Sequence, residues 1–280
     1  MFKCSGVNCV HVPFYRAHVT SNTCTREYTN TAMAWKWYDS KVIKIADESP
    51  TTKRFWLETA PEEKVEFKAG QFVTMDLPIS DKRLKRWRSY SIANAPNGNN
   101  QLEFCIVNMN GGAATEYFFN EVKEGTNIKF KGPDGTFTLK EPVEKDLVFI
   151  CTGTGIAPFR SMIWDLYKNK KSHKNIHLIF GTRYADGILY QKEFEELQEK
   201  MPGFKYSVAL SREENLDPAD YPFEIAKGYV HQLYLEQYKA VRPDVDFYIC
   251  GWSNMIDEAV ANLLVNLKYD KSQIHYELYG

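Results

Sequence analysis

The chain has 280 residues, 44% of them hydrophobic and 25% charged, with a formal net charge of -1, an ordinary globular balance with length for two cores. Near-neutrality excludes bulk electrostatic attachment to nucleic acid or an anionic membrane, so any such partner must be met by a local patch. No apolar run approaches the roughly 18 residues of a membrane span, and cysteines at 4, 9, 24, 105, 151 and 250 follow neither zinc nor iron-sulfur spacing, which fits a reducing, cytoplasmic setting.

Residues 1–32 are rich in Ser and Thr and carry three basic residues and one acid. They read as an extension outside the folded domains. Cys4, Cys9, His11, His18 and Cys24 match no established metal spacing. A targeting peptide is the alternative reading, and a translation start at Met33 is a third.

From 36 to 140 the pattern is strand-like. Apolar residues alternate at Phe55 and Leu57, at Val73, Met75 and Leu77, and at Leu102, Phe104 and Ile106. Asn97-Gly98-Asn99-Asn100 is read as a hairpin turn, and Gly132-Pro133-Asp134-Gly135 as joining another strand pair. Together they predict an antiparallel Greek-key β-barrel, interrupted by one helix near 114–122. Glu141-Pro142-Val143-Glu144-Lys145 is the expected linker. From 145 to 280 the rhythm becomes α/β: four short apolar strands (147–151, 176–181, 204–210 and 245–250) alternate with helical stretches. The helical faces are Phe159, Met162, Ile163 and Leu166, then Phe194, Leu197 and Met201, then Ile256, Val260 and Leu264. These should cover a parallel sheet. The expectation is therefore a two-domain chain, a barrel followed by a nucleotide-binding α/β domain.

Two constellations carry chemistry. In the first, Arg88, Tyr90 and Ser91 share one expected strand. Residues two apart point the same way, so a guanidinium fork for phosphate would stand beside an aromatic face and a hydroxyl; an ordinary edge strand with an exposed arginine is the alternative. Gly112-Ala113-Ala114-Thr115 sits at an expected helix start, where free amides and a hydroxyl suit an anion. With this Arg-x-Tyr-Ser strand and Gly-x-x-Thr helix start, and with Gly70-Gln71-Phe72 and Gly132-Pro133-Asp134-Gly135-Thr136-Phe137, the chain resembles the ferredoxin-NADP reductase family. The resemblance implies FAD. It places Arg88 and Thr115 on the pyrophosphate, Tyr90 on the isoalloxazine and Ser91 near its N5 atom.

In the second, Cys151-Thr152-Gly153-Thr154-Gly155-Ile156-Ala157-Pro158 passes from an apolar strand into an amphipathic helix, so the glycines admit a pyrophosphate at a positive helix end. A tight structural turn is the alternative. Pro158 departs from the Gly-x-Gly-x-x-Gly fingerprint but matches the family's Gly-Thr-Gly-Ile-Ala-Pro-Phe, which continues here through Arg160 and Ser161. Cations near a ribose 2' position favour NADP over NAD. Ser211, Arg212, Lys227 and Tyr229 match the Ser-Arg and Lys-x-Tyr of NADP-using members; acidic Glu213 and Glu214 and a reading as solvated loop charges stand against them. Cys250 and Gly251 end an expected strand near the nicotinamide position, and Arg183 ends another, where a plain turn is equally expected. Plant-type members finish in Glu-x-Tyr, so the resemblance implies a proton-relay role for Glu277 and a ring-covering role for Tyr279. A last structural strand is the competing account.

The expected activity is hydride exchange between NADP(H) and FAD, with Ser91, Cys250 and Glu277 as catalytic candidates and single electrons passing to or from ferredoxin or flavodoxin. Lys82, Arg83, Lys85 and Arg86 would steer that acidic carrier. An NADH-dependent reductase component of an oxygenase or cytochrome system is the alternative enzyme, and a nonenzymatic subunit with a reductase-like fold is the alternative of another class.

Overall fold

The computed structural model describes residues 36–279; the readings made for residues 1–32 and Met33 lie outside them. Alternation produces the first sheet. In β2 (Thr52–Thr59), Phe55 and Leu57 are fully buried, as are Val73 and Met75 in β3 (Phe72–Asp76). With β1 (Trp37–Ser49), β4 (Trp87–Ser91), β5 (Gln101–Val107) and β6 (Asn127–Asp134), they form a six-stranded antiparallel Greek-key barrel in the order β4-β3-β6-β1-β2-β5. Two turns differ from the expectation. Asn97–Asn100 closes no hairpin, because β4 and β5 are the opposite ends of the strand order; only the segment just past β4 meets β5, through the Ala93 amide to the Glu103 carbonyl and through the Asn94 side chain. Gly132–Asp134 lies inside the end of β6 and joins no pair of strands. A four-residue helix, α1 (Arg83–Arg86), precedes β4 unannounced by any periodicity, and the expected helix is α2 (Ala113–Asn120).

The second sheet is parallel: β7 (Asp146–Thr152), β8 (Ile176–Thr182), β9 (Phe204–Leu210), β10 (Glu224–Lys227), β11 (Val245–Gly251) and β12 (Ile274–Leu278), in the order β10-β9-β8-β7-β11-β12. Its central strands are mostly apolar because helices cover both faces, with His177, Ser207 and Asp246 as buried polar exceptions. These are α3 (Ile156–Lys168), α4 (Gln191–Lys200), α5 (Val230–Gln237) and α6 (Ser253–Ala261). β10 and α5 were not legible from periodicity, so Cys250 ends the fifth strand of this sheet in chain order, not the fourth. The order reverses beside β7. β8 lies on one side and β11 on the other, which opens a crevice at their carboxyl ends.

The apolar cluster on one face of the parallel sheet, with Phe149, Phe159 and Met162, also includes Ala69, Ala93, Cys105 and Phe137 of the barrel. The barrel keeps a core of its own around Phe55, Val73 and Phe130, so the two halves meet through these few residues. Among the described residues no helix is long and apolar enough to cross a membrane.

Candidate flavin and nucleotide site

The glycine turn is shaped by its neighbours. A Cβ built on Gly155 would sit 2.5 Å from the Cys250 carbonyl oxygen, and Gly251, at φ +142°, packs on Thr152, so both positions require glycine. Thr152 Oγ1 accepts the Trp252 amide at 3.3 Å. Residues 152–155 and 250–251, expected together at the switch point, are therefore in contact at the crevice. Pro158 lies in the first turn of α3, whose start has no side-chain cap.

On the barrel side, β4 pairs with β3, with Val73 opposite Tyr90 and Phe72 opposite Ser91. The Tyr90 ring meets Phe118 of α2 edge-on at 5.5 Å, which packs that helix against the strand. Burial pushes the Tyr90 phenol up, partly offset by Arg88. Arg88 donates to the Trp87 carbonyl at 2.8 Å. The Thr115 hydroxyl is engaged locally: it donates to the carbonyls of Gly112 (2.9 Å) and Met109 (3.0 Å). The amides of Ala113 and Ala114 open a helix that no side chain caps, and such amides suit an anion.

The last strand joins the two sides. β12 runs parallel to β11 with Glu277 in register with Cys250. The Tyr279 hydroxyl, 3.0 Å from Ser91 Oγ and 3.3 Å from the Thr154 carbonyl, donates to either. Glu277 lines a cleft of about 480 Å³ with Phe72, Gly135, Thr136, Phe137 and His275. Its Oε2 is buried without a hydrogen-bond partner. Burial pushes this carboxyl up to about 7. Burial also raises the Cys250 thiol, and the adjacent Glu277 adds to that rise, so the sulfur stays a neutral thiol at physiological pH. Ser91, Cys250, Glu277 and Tyr279 thus converge. The sequence reading that kept β12 as a plain strand describes its backbone, and the same backbone delivers Glu277 to the cleft and leads into Tyr279 beside Ser91.

A second group lies at the carboxyl ends of β8, β9 and β10. The amides of Ser211 and Arg212 donate to the carbonyls of Thr182 and Arg183, each at 2.9 Å. Lys227 Nζ reaches the Glu214 carbonyl at 2.5 Å, and Tyr229 is 68% exposed. Glu213, feared as an opposing charge, accepts the Ala185 amide at 3.1 Å. The Arg212 guanidinium is exposed and has no side-chain partner among the described residues.

The profile of the oxidoreductase FAD-binding domain matches residues 39–139, and that of the oxidoreductase NAD-binding domain matches residues 149–261. The chain belongs to the ferredoxin reductase-like family of FAD-dependent oxidoreductases. It is 30% identical over 240 residues to the phenol hydroxylase P5 protein of Acinetobacter pittii, covering 86% of this chain and 65% of that one. It is 27% identical over 248 residues to ferredoxin-NADP reductase B of Sorangium cellulosum, covering 86% and 97%. The crystal structure of the Amycolatopsis cytochrome P450 reductase GcoB superposes with a TM-score of 0.76 at 28% identity, over 88% of this chain and 70% of that one. The chain thus spans somewhat under two thirds of the first of these relatives. As a family member it is a flavoenzyme using FAD and a pyridine nucleotide.

Sequence reasoning missed a buried ionic cluster behind this site. Glu103, which alternates with the apolar Leu102 and Phe104, is 3% exposed and accepts from Arg54 Nε at 2.7 Å and Arg160 Nη1 at 3.0 Å. The one available signal was Cys105, an apolar residue on the same face of β5.

Proposed function

We propose that this enzyme draws reducing equivalents from NADPH onto FAD and exchanges single electrons with a separate acidic carrier of the ferredoxin or flavodoxin type. The observation that carries the reading is the position of the Tyr279 hydroxyl between Ser91 and Thr154, because it sets the flavin strand and the glycine turn on one crevice. The residues present fit both cofactors: Gly153 leaves the turn open, the start of α2 is uncapped, and Glu277 holds an unpartnered oxygen in the cleft.

Bound FAD supplies the conversion between two-electron hydride chemistry and one-electron steps. The chain's own residues position and protonate. Arg88, with the amides of Gly112, Ala113, Ala114 and Thr115, holds the flavin pyrophosphate. Tyr90 covers the ring and Ser91 offers a hydroxyl at its edge. Residues 152–155 and Pro158, with Arg183 nearby, receive the nucleotide pyrophosphate, and Cys250 and Gly251 leave room for its reactive ring. Glu277, titrating near 7, is suited to hold or release a proton at neutral pH. Ser211, Arg212 and Lys227 accept a 2'-phosphate, and Tyr229 faces the adenine. The engagement of Glu213 by Ala185 supports NADPH, since that carboxylate does not compete with the incoming phosphate. The exposed Lys82, Arg83 and Lys85 around α1, with Leu84 85% exposed, offer a basic surface to the carrier.

A second reading, an NADH-dependent reductase component of an oxygenase, is favoured by the names of several relatives, among them the anthranilate 1,2-dioxygenase electron transfer component of Acinetobacter baylyi. Stopped-flow bleaching of the flavin by each nucleotide separates the two: faster bleaching at lower concentration with NADPH is expected, and a preference for NADH overturns the first. Arg88→Ala should purify largely colourless; stoichiometric flavin in that variant removes the clamp.

A further inference from the structure

We infer that Arg160 is a positioning residue for electron transfer, fixing the glycine turn against the flavin strand through contacts separate from those of Tyr279. The inference rests on the reading that 88–91 and 152–155 face the two cofactors. Arg160 stands five residues beyond Gly155 on α3, so its side chain moves as one body with the turn. It is buried, and every nitrogen of its fork is engaged: Nη1 donates to the Ala93 carbonyl at 2.7 Å and to Glu103 Oε2 at 3.0 Å, and Nε and Nη2 both meet Glu193 Oε2 at 2.8 Å. Ala93 lies two residues past Ser91. The next residue of the helix, Ser161, donates to the Asn94 carbonyl at 2.7 Å. The segment that leaves β4 is thereby tied to the helix that leaves the glycine turn by two bonds, from adjacent residues of α3 to adjacent residues of the segment, and the contact with Glu103 adds a tie to β5.

The support behind Arg160 is equally determined. Arg54 Nη1 reaches Glu193 Oε1 at 2.9 Å and Glu48 Oε2 at 3.3 Å, and Glu48 Oε1 in turn accepts the Tyr190 amide. The Tyr190 ring lies 4.5 Å from the Arg160 guanidinium and 4.7 Å from that of Arg54. Tyr190 holds a left-handed backbone, φ 55°, a conformation that a bulky residue keeps only where its surroundings impose it. An arginine that grips a carbonyl and two carboxylates in a plane cannot be replaced by a point charge.

Arg160→Lys is the test, since it keeps the charge and removes the fork. A misplacement of about 1 Å costs on the order of 100-fold in rate. Flavin reduction at saturating nucleotide should therefore fall about 10- to 100-fold with the half-saturating concentration within about twofold. The long-wavelength absorbance of stacked nicotinamide and flavin should weaken. In flavin-free protein, hydrogen exchange at the Ile92 and Ala93 amides should quicken about tenfold while β7 is unchanged. A reduction rate within about twofold of the parent overturns the inference, as does a loss confined to nucleotide affinity. If Arg160→Lys does not fold, Ser161→Ala removes only the Asn94 tie; it should slow the same step about threefold, and an unchanged rate again overturns the inference. A parent protein whose flavin neither nucleotide bleaches refutes the functional reading, and the exchange measurement on flavin-free protein still decides whether Arg160 orders the segment.

Discussion

The barrel and the parallel sheet are joined by two polar seams of opposite character. On the cofactor side, Ser91, Tyr279, Cys250 and Glu277 form a sparse set: one shared hydroxyl, a neutral thiol and a carboxyl oxygen with no partner. In the far seam, Arg54, Arg160, Glu48, Glu103 and Glu193 form a dense set in which each guanidinium meets at least two carboxylates and that of Arg160 also meets a carbonyl. The difference separates holding from reacting. Groups that must meet a ligand or exchange a proton are left uncommitted, and their incomplete bonding is destabilising. Groups that only maintain geometry are fully paired, because a buried charge is tolerated only when every donor and acceptor is matched.

The strongest test of this contrast is in the far seam. Arg160→Met leaves buried Glu103 with Arg54 as its one ionic partner and takes Arg160 from Glu193, and should lower unfolding free energy by about 3 to 5 kcal/mol, measured by urea denaturation of the flavin-free protein. Adding Glu103→Gln should restore part of the loss. If the single variant unfolds like the parent, the far seam does not hold the sheets together.

The near seam should show the opposite sign. Burial lifts Glu277 to about 7, from an ordinary value of 4.5, so the folded protein keeps a proton that the unfolded chain has already released. Stability therefore falls as pH rises from about 4.5 to about 7 and levels off above that. Glu277→Gln removes this loss. The variant should match the parent near pH 4 and exceed it near pH 8 by about 1 to 3 kcal/mol. Equal stabilities at both values would mean that water or a partner satisfies the carboxylate.

Arg212→Ala probes a group that waits for its ligand. NADPH binding should weaken by about 1.5 to 3 kcal/mol, the range for hydrogen bonds to charged groups, with NADH nearly unaffected; titration of flavin reduction with both nucleotides measures it, and equal losses cancel the 2'-phosphate assignment. The smallest effect is expected from Tyr279→Phe, which removes the hydroxyl shared by Ser91 and Thr154. It should cost about 0.5 to 1.5 kcal/mol in the melting transition, and a cost approaching that of Arg160→Met would erase the distinction between the seams.

Local signals made much of the fold legible before any coordinates. Phe55 and Leu57 alternate because one strand face is buried, and Phe159, Met162 and Ile163 recur because one helix face is. The glycine turn was equally readable, since only glycine admits the approach of Gly155 to the Cys250 carbonyl. Pairing was less so. Asn97–Asn100 carries every mark of a hairpin turn, yet it crosses between opposite sheet edges, because turn chemistry sets the bend of a loop and not which strands it joins.

What the chain determined by itself is therefore what neighbours in sequence decide: strand and helix periodicity, two glycine-bearing turns, and a spaced set of phosphate and ring contacts. Tertiary structure alone decided that Glu103 is buried, that Arg160 grips the loop after Ser91, that Glu213 turns to Ala185, and that Tyr279 reaches across to Ser91, 188 residues away. The physical reason is that a charged residue on a strand face looks the same in sequence whether water or another domain covers it. Only packing fixes which, and with it whether the charge must be paired.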